Sequence, residues 1–257
     1  MKFHFFKYQA TGNDFVLIDN RSGDISFNTD QIGRICDRRF GVGADGLILI
    51  ENDDSAKFKV NYYNSDGTQS LCGNGSRAAV QFASYLGVVN GKANFAAYDG
   101  AHDAELLPSG IVRLRMGDVS KVEKIGVDYL INTGSPHYIR FVKDVEKFPV
   151  YEEGRAIRYS PIYKEAGVNV NFVEILPDKS IFVRTYERGV ENETLSCGTG
   201  VTAASLAASF MDITSPVKIK TLGGDLSVEF KVGQTVAFEE IFLVGPAKMV
   251  FEGDLEL

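Results

Sequence analysis

The chain has only three cysteines, Cys36, Cys72 and Cys197, in 257 residues. An odd and sparse set does not make a disulfide scaffold. None has His or Cys neighbours at metal-ligand spacing, so no metal site is expected. Positive charge is scarce as well: 27 Lys and Arg stand against 34 Asp and Glu, leaving a net charge of −7 with no basic cluster. That composition excludes a nucleic-acid footprint. No apolar run approaches the length that crosses a bilayer, so no membrane partner is expected. The opening, MKFHFFKYQATGNDF, mixes aromatic and polar residues and lacks the charged-then-apolar plan of a signal peptide. A cytoplasmic location is the expectation. Also missing are a P-loop with its Lys, the Rossmann glycine spacing after a strand, and a lysine in a pyridoxal-phosphate setting. The expectation is a protein that works without a cofactor.

What remains is an ordinary globular composition, 44% hydrophobic and 24% charged, with enough chain for one large domain or two modest ones. Period-two runs dominate: KFHFFKYQA, LILIE, FKVNYYN, IVRLRM, NFVEIL, SIFVRTYE, LSVEF and IFLVGPAKMVFEG. Several are bounded by Gly, Asn, Asp or Pro, so they read as strands. Helices are expected over residues 29–38, 75–86 and 201–211, with a weaker one over 142–148. Cys36, in RICDRRF, follows helical spacing and reads as a small core residue.

Two segments share an outline, QSLCGNGSRAAVQFA around Cys72 and ETLSCGTGVTAAS around Cys197. Each sets Cys-Gly-x-Gly before an Ala-rich stretch, and each follows a strand-like run and a polar loop. They lie about half the chain apart, which reads as an internal duplication. The expected fold is α+β, with two pseudo-symmetric lobes and the active site in the cleft between them. Each lobe is a curved, mostly antiparallel sheet wrapped around a central helix. Residues 1–118 would form the lobe carrying Cys72 and residues 119–246 the lobe carrying Cys197. The final strand, residues 247–257, would return to the first lobe. Helices with no clean polar face suit burial.

Glycines beside each cysteine let the backbone turn sharply and let a ligand approach its amides. The first N–H groups of a helix lack internal partners and carry partial positive charge. A cysteine there is expected to ionise more easily, and the neighbouring amides suit a carboxylate or phosphate. Two thiols facing each other across a substrate carbon could invert it, one removing the α-proton and the other delivering a proton to the opposite face. The helix-mouth amides would hold the α-carboxylate and the developing charge. A reversible redox switch is the alternative for facing thiols.

The stretches KYQATGNDFVLID, GVGADGLILIE, YYNSDGTQSLCGNGSRA, NTGSPHYI, GVNVNFVE and YERGVENETLSCGTGVTAAS resemble the diaminopimelate epimerase family along nearly the whole chain. The resemblance implies cofactor-independent conversion of the L,L to the meso isomer, serving lysine and peptidoglycan precursor synthesis, by a homodimer. It implies Cys72 and Cys197 as the acid/base pair, and Asn13, Asn64 and Asn169 as amide contacts to an amino-acid substrate. Gly73 with Asn74, and Gly198 with Thr199, would bind its carboxylate. Glu187 and Arg188 would grip its distal amino-acid end, where an anion acceptor and a bidentate fork suit a zwitterion. His137 and Glu187 would tune the thiols, while His4 and His102 read as structural. Two positions depart from the common pattern: Ser135 replaces an Asn, and Gly46 replaces a Gln. Both put the details of distal recognition in question. A racemase acting on another amino acid is the rival within the same chemistry.

Overall fold

The N-terminal strand β1, Lys2–Ala10, shows how the first half is layered. Phe3 and Phe5 join Ile32, Ile35 and Cys36 in one apolar cluster. The alternate residues Phe6 and Tyr8 lie against Phe82, with ring centroids 4.8 and 5.8 Å apart. A strand with successive side chains on opposite faces, both apolar, needs a cover on each side. The covers are α1, Thr29–Cys36, and α2, Gly73–Tyr85. The computed structural model describes every residue except Leu71, Thr235 and Val236. The chain divides into two compact units, Met1–Leu114 with Gly245–Leu257, and Arg115–Val244.

In the first unit, β1 pairs antiparallel with β2, Asn13–Asp19, and β2 runs parallel to β3, Gly46–Glu51. Strand β3 pairs antiparallel with β4, Phe58–Asn64, which runs parallel to β5, Lys92–Ala97. Two antiparallel steps follow, to β6, Gly100–Leu106, and β7, Ile111–Arg115. Parallel neighbours cannot be joined by a tight turn and need a crossover. Helix α1 is the crossover from β2 to β3, and α2 the crossover from β4 to β5. The C-terminal strand, Lys248–Glu256, pairs antiparallel with β1. The period-two run 241–253 is therefore two strands, broken at Ala247, rather than one.

The second unit repeats this order. Strands β8, Val122–Ile125, and β9, Asp128–Asn132, form a hairpin, and β9 pairs antiparallel with β10, Pro136–Phe141. Strand β10 runs parallel to β11, Asn169–Ile175, across the helix α3, Val150–Arg158. Strand β11 pairs antiparallel with β12, Ile181–Glu187, which borders the short β13, Asn192–Thr194. Strand β12 runs parallel to β14, Val217–Thr221, across α4, Gly198–Ala208. Antiparallel β15, Gly224–Val232, and β16, Phe238–Pro246, complete it. The sheet is thus mixed, and its parallel pairs occur where a helix crosses over.

Four helical segments differ from expectation. α2 and α4 begin at Gly73 and Gly198, so each cysteine is the residue that caps the helix rather than one that precedes it. Residues 142–148 hold only a single 3-10 turn, Val145–Lys147. The second unit's counterpart of α1 is α3, which hydrophobic spacing did not reveal. It buries only Val150 and Gly154, the latter against the ring of Tyr186. Its start and stop signals were nonetheless present: Pro149 at the cap, Glu152 and Glu153 in the first turn, Arg155 and Arg158 in the last.

A Cβ added at Gly154 would meet Tyr186 Cβ at 2.4 Å and Cγ at 2.7 Å. Gly154→Ala gains about 1 kcal/mol of helix propensity but forces this contact apart, at a cost of about 1–3 kcal/mol. Urea unfolding should therefore show a net loss of stability; an equal or higher midpoint would contradict the packing.

Candidate active site

In the first unit the mouth of α2 is closed by Cys72 itself, with φ −125° and ψ 109°. Its Sγ accepts the N–H of Gly75 at 3.4 Å, and its carbonyl accepts that of Ser76 at 2.7 Å. The sulfur thus fills the capping role that a Ser or Asp oxygen usually has. Sγ also lies 3.6 Å from Asn13 Oδ1. The orientation of that amide is fixed, because Asn13 Nδ2 donates to Asp45 Oδ2 at 2.6 Å and a carboxylate only accepts. Asp45 and Asp14 share Arg38, and Asp14 also pairs with Lys7 at 2.7 Å. Burial works to raise the Asp14 carboxyl, but hydrogen bonds from Arg38 and Lys7 outweigh it and hold it at about 2.

Asn13 starts β2 directly after a two-residue turn. Thr11 and Gly12 have φ values of +49° and +85°, and Ala10 pairs with Asn13 across them. Positive φ at both central residues is the hairpin turn that matches strand twist, yet a β-branched residue resists it. Asn74 is buried with its side chain turned inward: Nδ2 meets Asn13 Oδ1 at 3.3 Å, and Oδ1 accepts from Arg77 at 3.0 Å. Gly73 is buried in the first turn of the helix. Asn64 is engaged in its own loop, accepting from Tyr62 Oη at 2.9 Å and donating to Thr68 and Ser70. Gly46 has no room for a side chain, since a Cβ there would lie 2.5 Å from the Tyr62 ring and 2.6 Å from the Tyr63 carbonyl.

In the second unit Cys197 caps α4 with similar angles, φ −112° and ψ 113°. Its Sγ lies 3.5 Å from Thr199 Oγ1, which is 2.9 Å from His137 Nε2. The tautomer of His137 follows from its other side. Thr185 donates to Asn171 Oδ1 at 2.9 Å, so Asn171 Nδ2 faces His137 Nδ1 at 3.0 Å and donates to it. The proton of the neutral ring is then on Nε2, directed at the Thr199 and Ser135 hydroxyls. A Thr199 hydroxyl that accepts from His137 is left to donate toward the Cys197 sulfur. Burial, reinforced by the charge of Arg188, pushes His137 down to about 3, so the ring acts as a neutral donor. Gly198 opens the helix, and its carbonyl accepts the Thr202 hydroxyl at 2.9 Å. Gly200 is sterically required, because a Cβ would lie 2.4 Å from Asn171 Oδ1.

Asn169 and Arg188 are tied together. Asn169 Oδ1 accepts the Arg188 backbone N–H at 2.8 Å, while its Nδ2 donates to Ser135 Oγ at 3.0 Å and to Pro136 O. Ser135 thereby links Asn169 to His137. The Arg188 guanidinium donates to the Ala166 carbonyl, and Glu187 Oε2 accepts from Thr194 at 2.9 Å. The structure gathers Asn13, Gly73 and Asn74 around Cys72, and Ser135, His137, Thr199 and Asn169 around Cys197. Asn64 belongs to the neighbouring loop.

Several residues of this network escaped sequence reasoning: Thr11, Asp45 and Arg77 in the first unit, Thr133 and Asn171 in the second. A signal existed in the duplicated Thr-Gly turn. Thr11-Gly12 precedes β2 and Thr133-Gly134 precedes β10, and each threonine hydroxyl ties the turn to its cysteine helix. Among the described residues no group of His, Cys, Asp and Glu is placed to hold a metal ion. No helix among them is long and apolar enough to cross a membrane.

The class of protein emerges first from solved structures. A phenazine biosynthesis protein of the PhzF family from Bacillus anthracis superposes with a TM-score of 0.80 at 12% identity, over 100% of both chains. A hydroxyproline epimerase from Agrobacterium vitis, with bound trans-4-hydroxy-L-proline, superposes with a TM-score of 0.68 at 12% identity, over 99% of this chain and 92% of that one. At such identities the fold alone is shared: a two-unit α+β architecture found in epimerases and phenazine proteins. Sequence narrows it. The diaminopimelate epimerase family model matches residues 5–122 and 129–250. A diaminopimelate epimerase from Flavobacterium psychrophilum is 48% identical over 251 residues, covering 96% of this chain and 98% of that protein. One from Aquifex aeolicus is 42% identical over 276 residues, covering 98% and 97%. The chain belongs to the diaminopimelate epimerase family, and it is an enzyme of the epimerase class.

A depressed His137 has a consequence for stability. The folded state favours the neutral ring, so this contribution is full above the unfolded value of about 6.5 and is lost as pH falls below it toward the folded value. Between about pH 7 and pH 5 the loss amounts to about 2 kcal/mol for this one group. Chemical unfolding of His137→Gln should show a correspondingly flatter decline over that interval. An unchanged slope would mean that the ring is not held neutral.

Proposed function

We propose that the chain interconverts L,L- and meso-diaminopimelate by exchanging the α-proton between two thiols, with Cys72 and Cys197 as the acid/base pair. The observation that carries this reading is that each unit, built in the same order of strands and crossovers, places one cysteine as the cap of its second crossover helix. The relatives at 48% and 42% identity bear the name of this activity. Thiolate and thiol exchange roles with the direction of reaction, so no redox change and no cofactor are needed. On this reading the α-carboxylate is held at the helix mouths by the backbone N–H groups of Gly73–Asn74 and Gly198–Thr199, where the helix ends favour an anion. These donors also stabilise the charge that builds as the proton leaves.

Asn13 and His137 supply the asymmetry an acid/base pair requires. Asn13 presents a carbonyl oxygen to Cys72, and the neutral His137 orders the Thr199 hydroxyl beside Cys197. Asn64, Asn169, Glu187 and Arg188 are assigned to the substrate's distal amino-acid end. There the guanidinium suits the second carboxylate, and Glu187 suits the second ammonium. Glu187, close in sequence to Thr194 and bonded to it, is also assigned to tuning the thiols. The cytoplasmic setting, the dimer and the supply of lysine and peptidoglycan precursors belong to the same reading.

The test is incubation of the reduced protein with L,L-diaminopimelate in heavy water. Meso product should form with solvent deuterium at the α-carbon. Cys72→Ala and Cys197→Ala should each lower turnover by at least about 10³-fold while near-native circular dichroism is kept. Proline that exchanged its α-hydrogen while diaminopimelate did not would transfer the activity to another amino acid. Near-normal turnover in either variant would remove the two-thiol mechanism.

A further inference from the structure

Arg77 is a fully buried cation that the reaction just described does not use. It lies five residues after Cys72, within α2, and has no exposed surface. Nη2 donates to Thr11 Oγ1 at 3.2 Å and to Asn74 Oδ1 at 3.0 Å. Nε and Nη1 are buried without a hydrogen-bond partner. Among the described residues no carboxylate forms an ion pair with it. A buried charge is normally paired, because removing one from water without a counter-charge is very costly. Burial pushes Arg77 down to about 10, opposed by the charge of Cys72, so the guanidinium stays protonated at neutral pH. Geometry links it to Cys72: Asn74, which accepts from Arg77, donates to the same Asn13 Oδ1 that lies 3.6 Å from the Cys72 sulfur.

Duplication supplies the control within the same molecule. Thr202 occupies the matching position five residues after Cys197 and spends its hydroxyl on the Gly198 carbonyl. Phe15 and Ile48 lie beside Gly75 in the first cysteine loop, where His137 and Asn171 lie beside Gly200 in the second. The registers agree: Phe15 pairs with Gly46, and His137 with Asn169, each two residues before Ile48 and Asn171. The first unit therefore has an apolar floor with a cation buried inside the helix; the second has a polar floor of His137 and Asn171, with Arg188 tied to it through Asn169.

We propose that Arg77 is the internal counter-cation of Cys72, a positioning residue that eases formation of the Cys72 thiolate while bracing Thr11 and Asn74 at the helix mouth. No cation stands at the matching position on α4, where Thr202 takes its place; the charge that reaches the second site is that of Arg188, felt at His137. This rests on the two-thiol reading above. The other charged groups at the Asn13 end are Asp14, Asp45, Lys7 and Arg38, two of each sign joined in ion pairs. Elsewhere on the elements packed against α2, Glu51 pairs with Lys59, His102 with Asp99, Glu105 with Arg113 and Asp254 with Lys2 and His4. The Gly75 N–H favours charge on the sulfur, and the Asn13 carbonyl oxygen opposes it. Arg77 adds to the favourable side.

Alkylation of the reduced, substrate-free protein by iodoacetamide tests this, followed for each cysteine by peptide mass from neutral to alkaline pH. Arg77→Met should shift the Cys72 profile upward by on the order of one pH unit, about a tenfold loss of reactivity at neutral pH. The Cys197 profile should stay in place. Arg77→Lys keeps the charge and should retain most of the Cys72 reactivity even if turnover falls. An unmoved Cys72 profile in folded Arg77→Met, or equal shifts at both cysteines, would overturn the assignment. If Arg77→Met does not fold, a Cys72 profile in folded Arg77→Lys displaced by a full unit or more would overturn it as well. Because no diaminopimelate is present, an enzyme acting on another amino acid would still show the shift. Conversely, an active diaminopimelate epimerase without it would fail this inference alone.

Discussion

In each half of the molecule a cysteine occupies the N-cap position of a crossover helix, and in the first half its sulfur itself makes the cap. The helix is a crossover between parallel strands, so its start is held over the sheet it spans. At that start the first amides have no partners within the helix. In the first unit the thiol of Cys72 takes one of them, the N–H of Gly75. Of the glycines that follow the cysteines, Gly200 has a packing reason, whereas a Cβ on Gly75 would meet only ordinary contacts at 3.4 Å and beyond. At Gly200 a single methyl group would collide with Asn171. Moving Cys72 by one residue would break its cap, and enlarging Gly200 would push α4 away from its polar floor.

That floor explains how two equivalent positions come to hold unlike thiols. The strands under α4 contribute His137 and Asn171, and the hydrogen-bond order from Thr185 through Asn171 fixes where the histidine proton points. Full burial keeps this ring neutral, so its influence on Cys197 passes through the Thr199 hydroxyl rather than through charge. The strands under α2 contribute Phe15 and Ile48, which cannot order anything by hydrogen bonding. There the polar work passes to Asn13, whose amide is aligned from outside by Asp45, and to Arg77 from inside. On the proposed two-thiol reading, the proton moves between groups whose energies must lie close together. Unlike surroundings can reach that balance by different routes.

Much of this was legible in the sequence because glycine and cysteine spacing reports directly on backbone shape. The Cys-Gly-x-Gly frame located both helix mouths, and its repetition gave the two-part α+β organisation. Strands such as Lys2–Ala10 were legible from aromatic alternation, since each face meets a different helix. Helix α3 was not, because it is short and mostly polar and buries only Val150 and Gly154. The hydrogen-bonded support was hidden for another reason. Asp45, Asn171 and Thr185 reach the site through strand register and loop closure, which bring together residues that sequence spacing does not relate. Arg77 was visible as a letter inside a recognised motif. Its full burial could not be read there, because arginine is ordinarily a surface residue.

Gly46 and Ser135, the two positions expected to depart from the family pattern, differ in what packing asks of them. Gly46 is dictated by its own neighbours: the Tyr62 ring and the Tyr63 carbonyl occupy the space a side chain would need. A longer residue there would require the β4 end to move, and with it Asn64, which Tyr62 holds by a hydrogen bond. Ser135 is different, because its hydroxyl stands between the Asn169 amide and the His137 ring. A hydroxyl can accept from one and rotate to suit the other, so it preserves the connection with fewer atoms than an amide. Gly46 follows from the shape of the fold. Ser135 retains a polar bridge between the residues assigned to the distal end of the substrate and those that order the Cys197 thiol.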